Sequence, residues 1–232
     1  MLINIHTHLP INDEKNNIKN IYSLNIDEYF SIQQSFNQLF TIGIHPWNIV
    51  KNYKNQLIEL ENIIKNNLQN KNFFALGECG LDRSKNCNTP FDLQVELFYE
   101  QLKLAQKYNK IAIIHCVRSF PEIIQIRQKF KKIKVIFHGY NGNEQITKEL
   151  LKNTHNYFSF GRLLLKNTKQ QNVVTKIPLT KIFFESDTIH SKSIMTDLYK
   201  FAINKLKIAD NVEDLSYIIE ENFKAIPKIT EV

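Results

Sequence analysis

Phe73-Phe74-Ala75-Leu76-Gly77, followed at once by Glu78, is the stretch on which the reading of this chain turns: a short apolar run that ends in a carboxylate rather than in a turn residue. Runs of the same kind recur at residues 2–5, 20–24, 40–44, 111–114, 134–137, 157–160 and 181–184. Short, β-branched or aromatic and separated by longer helical patterns, they predict buried parallel strands joined by crossover helices. The clearest helical pattern is 53–68, where Leu57, Leu60, Ile64 and Leu68 share one face; others fall at 93–108, 121–130, 143–151, 194–205 and 215–226. Several begin after Ser, Thr, Asp or Asn, and Pro121 suits a first helical turn. The alternation predicts an α/β protein, a (β/α)8 TIM barrel forming one domain over residues 1–232. With 232 residues against the typical ~250 of this architecture, the barrel must be compact. The segment between the first two runs is too short for a full helix, so the first crossover should be the shortened one. No repeat, linker or low-complexity tract argues for a second domain.

Composition narrows the functional classes. The chain is 43% hydrophobic and 23% charged, as expected of a folded globular protein. Its formal charge of +7 attracts polyanions. Lysine carries nearly all of that charge, arginine occurring only at Arg83, Arg118, Arg127 and Arg162, so an A/T-rich genome accounts for the bias equally well. Cys79, Cys87 and Cys116 are odd in number and lack paired metal spacing, which points to a reducing compartment and a cytoplasmic protein. No stretch approaches the ~20 apolar residues of a membrane span, and no obligate protein partner is indicated.

The residues at the ends of the strand-like runs carry the chemistry. Six runs end on His, Glu or Asp: His6 and His8, His45, Glu78, His115, His138, and Glu185 with Asp187. Strand C-terminal ends of a parallel barrel all face one way, so residues far apart in sequence converge on one end. His6-Thr7-His8 has the period-two spacing that sends both imidazoles to one side of a strand. The predicted metal ligands are His6, His8, Glu78, His115, His138 and Asp187. A mixed histidine and carboxylate set suits borderline divalent cations such as Zn²⁺ or Mn²⁺, with Mg²⁺ also open, and does not fit a structural thiolate site. One glutamate between two histidine groups can bridge two cations, and such a pair polarises a phosphoryl oxygen and acidifies a water. Asp187 is the candidate to take the water's proton. No serine elbow, phosphate-cradling Gly-rich loop or dinucleotide fingerprint is present. Among the remaining residues, His155 is expected at the solvated surface and His190 in a plain loop, with a substrate contact as its alternative. Cys79 and Cys116 are expected to be buried structural thiols. Pro46 and Trp47 should shape a loop, with substrate stacking the alternative for the indole.

Taken together, Ile-His-Thr-His at 5–8, Gly-Ile-His-Pro at 43–46, Gly-Glu-Cys-Gly-Leu-Asp at 77–82, Ile-His-Cys at 114–116, Phe-His-Gly at 137–139, Ser-Phe-Gly at 159–161, Glu-Ser-Asp at 185–187 and Glu-Asn-Phe at 221–223 resemble the TatD family of metal-dependent hydrolases, amidohydrolase-like TIM barrels. The resemblance implies His6, His8, Glu78 and Asp187 around one metal and Glu78, His115 and His138 around another, with Glu78 bridging and catalytic alongside Asp187. It implies that His45 binds substrate near the scissile phosphate, and that the substrate is DNA cut from the 3′ end. Two positions depart from the family: Asn4 stands where Asp is usual, removing a carboxylate that could orient a ligand, and Arg118 lies three residues after His115 instead of two. The Cys-Val after His115 resembles a Bacteroidetes-type sub-branch. Two further readings stay open, an amide or ester hydrolase using the same metal chemistry and a catalytically silent nucleic-acid-binding barrel.

Overall fold

The computed structural model describes residues 1–8, 17–32, 37–189, 191 and 193–226. Eight parallel strands, β1 (Leu2–Thr7), β2 (Ile18–Leu24), β3 (Leu39–Ile42), β4 (Phe73–Asp82), β5 (Ala112–Val117), β6 (Val135–Phe137), β7 (Asn156–Phe160) and β8 (Ile182–Phe184), close in sequence order into a barrel. The helices are α1 (Ile26–Ile32), α2 (Tyr53–Asn66), α3 (Phe91–Lys107), α4 (Phe120–Arg127), α5 (Glu144–Leu151), α6 (Thr168–Val174), α7 (Ile194–Asn204) and α8 (Val212–Ala225). Every expected strand and helix is present. The expectation of a shortened first crossover falls on residues 9–16, and that for His190 on residue 190; both lie outside the described residues.

Two differences matter for function. Strand β4 does not stop at Gly77 but runs on to Asp82, and β1 and β5 likewise continue past their apolar runs. His6, Glu78 and His115 therefore sit inside strands rather than loops, His115 paired with Gly80 and the other two at register shifts of β1 and β4. The cause is a pair of glycines that let β4 stay paired: Gly80 faces His115, and Leu81 and Asp82 face Cys116 and Val117. Helices α1 and α6 are each seven residues long, too short to display a repeated apolar face, which is why periodicity does not reveal them.

The chain forms two compact units, Met1–Tyr22 with His138–Val232, and Ser23–Phe137. In the first, Tyr199 of α7 is fully buried and its hydroxyl accepts the Ile3 amide of β1 at 3.2 Å, fixing that helix to its strand. Phe158, Phe160, Phe183 and Phe184 fill the core between strands and helices. In the second, all ten residues of β4 are buried, and Phe40 of β3 stacks on Phe73 at 5.5 Å. Two glutamines of α3 act as backbone clamps: Gln101 accepts from the Ile44 amide and donates to its carbonyl, and Gln94 does the same at Asp82. Buried backbone groups at the ends of β3 and β4 thus find partners where no further strand residue could supply them. No described helix is long and apolar enough to cross a membrane.

Glu61 ties α2 to α3, accepting from Lys107 Nζ at 2.7 Å and from the Tyr108 hydroxyl at 2.6 Å. The Lys107 and Tyr108 bonds hold its carboxyl at about 2, below the ordinary 4.5. A depressed carboxylate stabilises the fold above its unfolded pKa and ceases to do so as pH falls through the folded one. Glu61→Gln should therefore melt below the parent at neutral pH, and the gap should shrink as pH drops from 4.5 toward 2; a gap constant with pH would show that the tie is not electrostatic.

Candidate metal centre

His6, inside β1, and His8, just beyond it, present Nε2 atoms 3.2 Å apart. Asp187 Oδ1 lies 3.9 Å from the first and 3.7 Å from the second. Donor atoms around a cation bound at about 2.1 Å are roughly 3.0 to 3.4 Å apart, so this triad needs only a slight contraction to hold one. Asp187 is locked in place by its backbone. Its amide donates to the His6 carbonyl at 3.1 Å, its carbonyl accepts from the His8 amide at 3.2 Å and from the Thr7 hydroxyl at 3.2 Å, and it bridges Thr7 in parallel. Its φ of +52° is left-handed, an uncommon state for a non-glycine residue that is concentrated at functional sites. His138, directly after β6, lays its ring over His6 with centroids 4.2 Å apart.

Asn4 has a structural role of its own. Its side-chain amide donates to Asn20 Oδ1 at 2.8 Å and to Ser186 Oγ at 2.9 Å, while its oxygen accepts the Ser186 amide at 2.9 Å. Asn4 and Ser186 are fully buried and Asn20 nearly so. The amide thus pins the segment carrying Asp187 to β1 without a charge, and its bonds go to Asn20 and Ser186 rather than to either histidine.

In the other unit Glu78 is buried within β4, and its Oε1 lies 2.6 Å from His115 Nδ1 and 3.4 Å from His45 Nε2. All three donor atoms lie within 4.8 Å of one another. They are not equivalent. His45 Nδ1 accepts the Trp47 amide at 3.1 Å, so the proton of a neutral ring must sit on Nε2. That nitrogen is a hydrogen-bond donor and not a lone-pair ligand, which sets His45 apart from the predicted ligands.

Each histidine group is backed by a buried carboxylate. Asp82 Oδ2 is 3.2 Å from His115 Nε2 and accepts the Trp47 indole at 2.6 Å, and its Oδ1 accepts the Ser84 amide at 2.6 Å. Burial alone would raise the Asp82 carboxyl, but the bonds from His115, Ser84 and Trp47 outweigh it and hold it well below the usual range. Glu185, fully buried after β8, accepts the Gly139 amide at 2.7 Å and lies 3.4 Å from His138 Nδ1. Burial again opposes ionisation, and the charges of His138 and His6 keep the carboxyl low. Asp82 is not among the candidates drawn from sequence. A signal for it exists, since residues 78, 80 and 82 share one face of a strand, but a strand ending at Gly77 conceals it.

Cys79 and Cys116 are buried free thiols, the first pushed well up by burial and the second up to about 12, as expected of structural cysteines. His155 is half-buried rather than solvated, its amide bonded to Asn153. Pro46 and Trp47 do shape a loop, the 3₁₀ turn Pro46–Asn48.

Known proteins share this sequence pattern and this fold. The family model described as TatD related DNase matches residues 12–228. An uncharacterised metal-dependent hydrolase of Buchnera aphidicola is 29% identical over 185 residues, 75% of this chain and 70% of that protein. A putative deoxyribonuclease of Vairimorpha ceranae is 29% identical over 199 residues, 84% of this chain and 70% of its own length. The crystal structure of the TatD homologue YjjV from Escherichia coli superposes with a TM-score of 0.81 over 97% of both chains at 17% identity, a likeness of fold.

Asp82→Asn tests the carboxylate behind His115. Removing such a partner typically costs 10- to 100-fold in metal affinity, so divalent-cation binding, measured by competition with a chromogenic chelator, should weaken by about that factor. Unchanged affinity would show that Asp82 serves only Trp47 and Ser84.

Proposed function

The chain belongs to the TatD related DNase family and is a metal-dependent hydrolase, and from that premise we propose that it is a deoxyribonuclease, cleaving phosphodiester bonds in DNA with two divalent cations per chain. The observation that carries the reading is the spacing of His6, His8 and Asp187 donor atoms, 3.2 to 3.9 Å apart, in a neutral-plus-anionic set that suits Zn²⁺, Mn²⁺ or Mg²⁺. His115 and His138 would hold the second cation, and Glu78 would serve both.

When bound, the cations polarise a phosphoryl oxygen and make a water acidic enough to attack near neutral pH. The protein's own groups do the rest. His45, its Nδ1 occupied by the Trp47 amide, offers an Nε2–H to a phosphate oxygen and so orients the substrate. Asp187, fixed by three backbone-directed bonds, takes the proton of the attacking water. Asp82 and Glu185 hold His115 and His138 in orientation from behind. Residues 1–232 act as one hydrolase domain in this reading, and the three free cysteines support a reducing, cytoplasmic setting.

The test is metal-dependent digestion of end-labelled single-stranded and duplex DNA, with a p-nitrophenyl ester and an N-acyl amino acid in parallel. Degradation of DNA alone is expected; turnover of the ester or amide alone would move the activity to the amidohydrolase class. Metal titration should reach up to two cations per chain, falling for Glu78→Gln, and should weaken as pH drops through about 6.5, because ligating imidazoles must be neutral. At saturating metal Asp187→Asn should lose at least ~100-fold in kcat with little change in melting; near-parental turnover would place the base elsewhere, with Glu185 next in line.

Electrostatics supplies a separate check. Arg118 is exposed directly after β5 in a left-handed conformation, φ +55°, close in sequence to His115. If it meets a phosphate, Arg118→Gln should lower DNA affinity and flatten the log–log salt dependence by about one. An unchanged slope would leave Arg118 outside the nucleic-acid contact.

A further inference from the structure

Trp47 is the only tryptophan of the chain and is 50% exposed. A tryptophan serving packing alone turns its ring inward. This one turns its polar edge inward: the indole N–H donates to buried Asp82 at 2.6 Å, its backbone amide to His45 Nδ1 at 3.1 Å, and its ring meets the edge of the His45 imidazole at 5.4 Å and 80°. Two hydrogen bonds and one aromatic edge fix the ring, while half its surface faces solvent. The groups that fix it belong to the candidate site, since Asp82 lies 3.2 Å from His115 Nε2 and His45 Nε2 lies 3.4 Å from Glu78.

From this geometry we propose that Trp47 is a stacking platform for a nucleobase of the substrate, beside the phosphate that His45 orients. The proposal rests on the reading of the substrate as a nucleic acid and adds the subsite that receives a base. Stacking on an aromatic face needs no particular base, because every base has a π-face, so the platform gives affinity without sequence preference. Its rotamer is set in advance by Asp82, so little side-chain freedom is lost on binding. It also explains why an indole stands here rather than a phenyl ring: the N–H anchors the edge, leaving the face for the ligand.

With a single tryptophan, intrinsic fluorescence reports on the platform directly. In an Asp187→Asn background, loaded with the divalent metal, a single-stranded oligothymidylate is titrated against an oligomer of equal length and charge built from abasic sites. Quenching is expected with the first and little change with the second, which keeps the phosphates but lacks bases. Trp47→Leu should lose roughly ten- to hundredfold in affinity for oligothymidylate, read by anisotropy of a labelled strand, and almost none for the abasic oligomer. Trp47→Phe, which keeps a π-face and loses the anchor to Asp82, should recover most of that loss. Equal quenching by both oligomers, or a Trp47→Leu affinity unchanged for oligothymidylate, overturns the platform and leaves the nuclease reading standing. Failure of the parent to bind either oligomer overturns both.

Discussion

The site depends on how closely β4 is threaded between β3 and β5. A side chain at Gly43 would place its Cβ 2.8 Å from the Glu78 carbonyl, one at Gly77 would meet Ile113, and one at Gly80 would collide with the His115 carbonyl. Gly77 and Gly80 also adopt φ of +138° and +153°, which L side chains rarely reach. Across this crowded stretch the register of β4 on β5 shifts between Leu76 and Cys79, and pairing then resumes from Cys79 to Asp82. Glu78 and Asp82 consequently share a face of one strand, and His115 stands on the next, with its two ring nitrogens toward the two carboxylates.

Rigid backbone alone would not make a metal site, because an imidazole can rotate about its side-chain torsions. The buried carboxylates supply that second constraint. Asp82 and Glu185 are both 2% exposed or less, in surroundings that oppose ionisation, and both are held ionised by the bonds they accept. Ligand orientation is thereby coupled to burial: a charge that would be costly alone is stabilised by the donors it positions. The remaining anchor is neutral. Asn4, Asn20 and Ser186 hold the Asp187 segment to β1 through amide and hydroxyl bonds, a clasp that introduces no further buried charge.

Around these groups the barrel offers surface of a different kind. His45 and Trp47 come from a short 3₁₀ turn after β3, and Gln101 of α3 clamps the Ile44 backbone just before it. The loop is thus tied to a helix on one side and to Asp82 on the other. Loop residues hold a defined position when a scaffold fixes them, and here helix and strand do so jointly.

Periodicity determined the eight strands and the six longer helices, because burial imposes a spacing of two or 3.6 on them, while the seven-residue α1 and α6 are too short to show it. The same sequence placed His6, His8, Glu78, His115, His138 and Asp187 as candidates, since polar residues directly after apolar runs stand out when strand ends share one direction. What remained for the tertiary structure was decided by contacts between residues distant in sequence. Neither the extension of β4 to Asp82, nor the pairing of Asp82 with His115 and Trp47, nor the proton on His45 Nε2 can be read from local pattern. Each depends on which atom of a far segment comes within about 3 Å of another, and that distance is set by packing around glycines and clamped strand ends, not by any local spacing of residues.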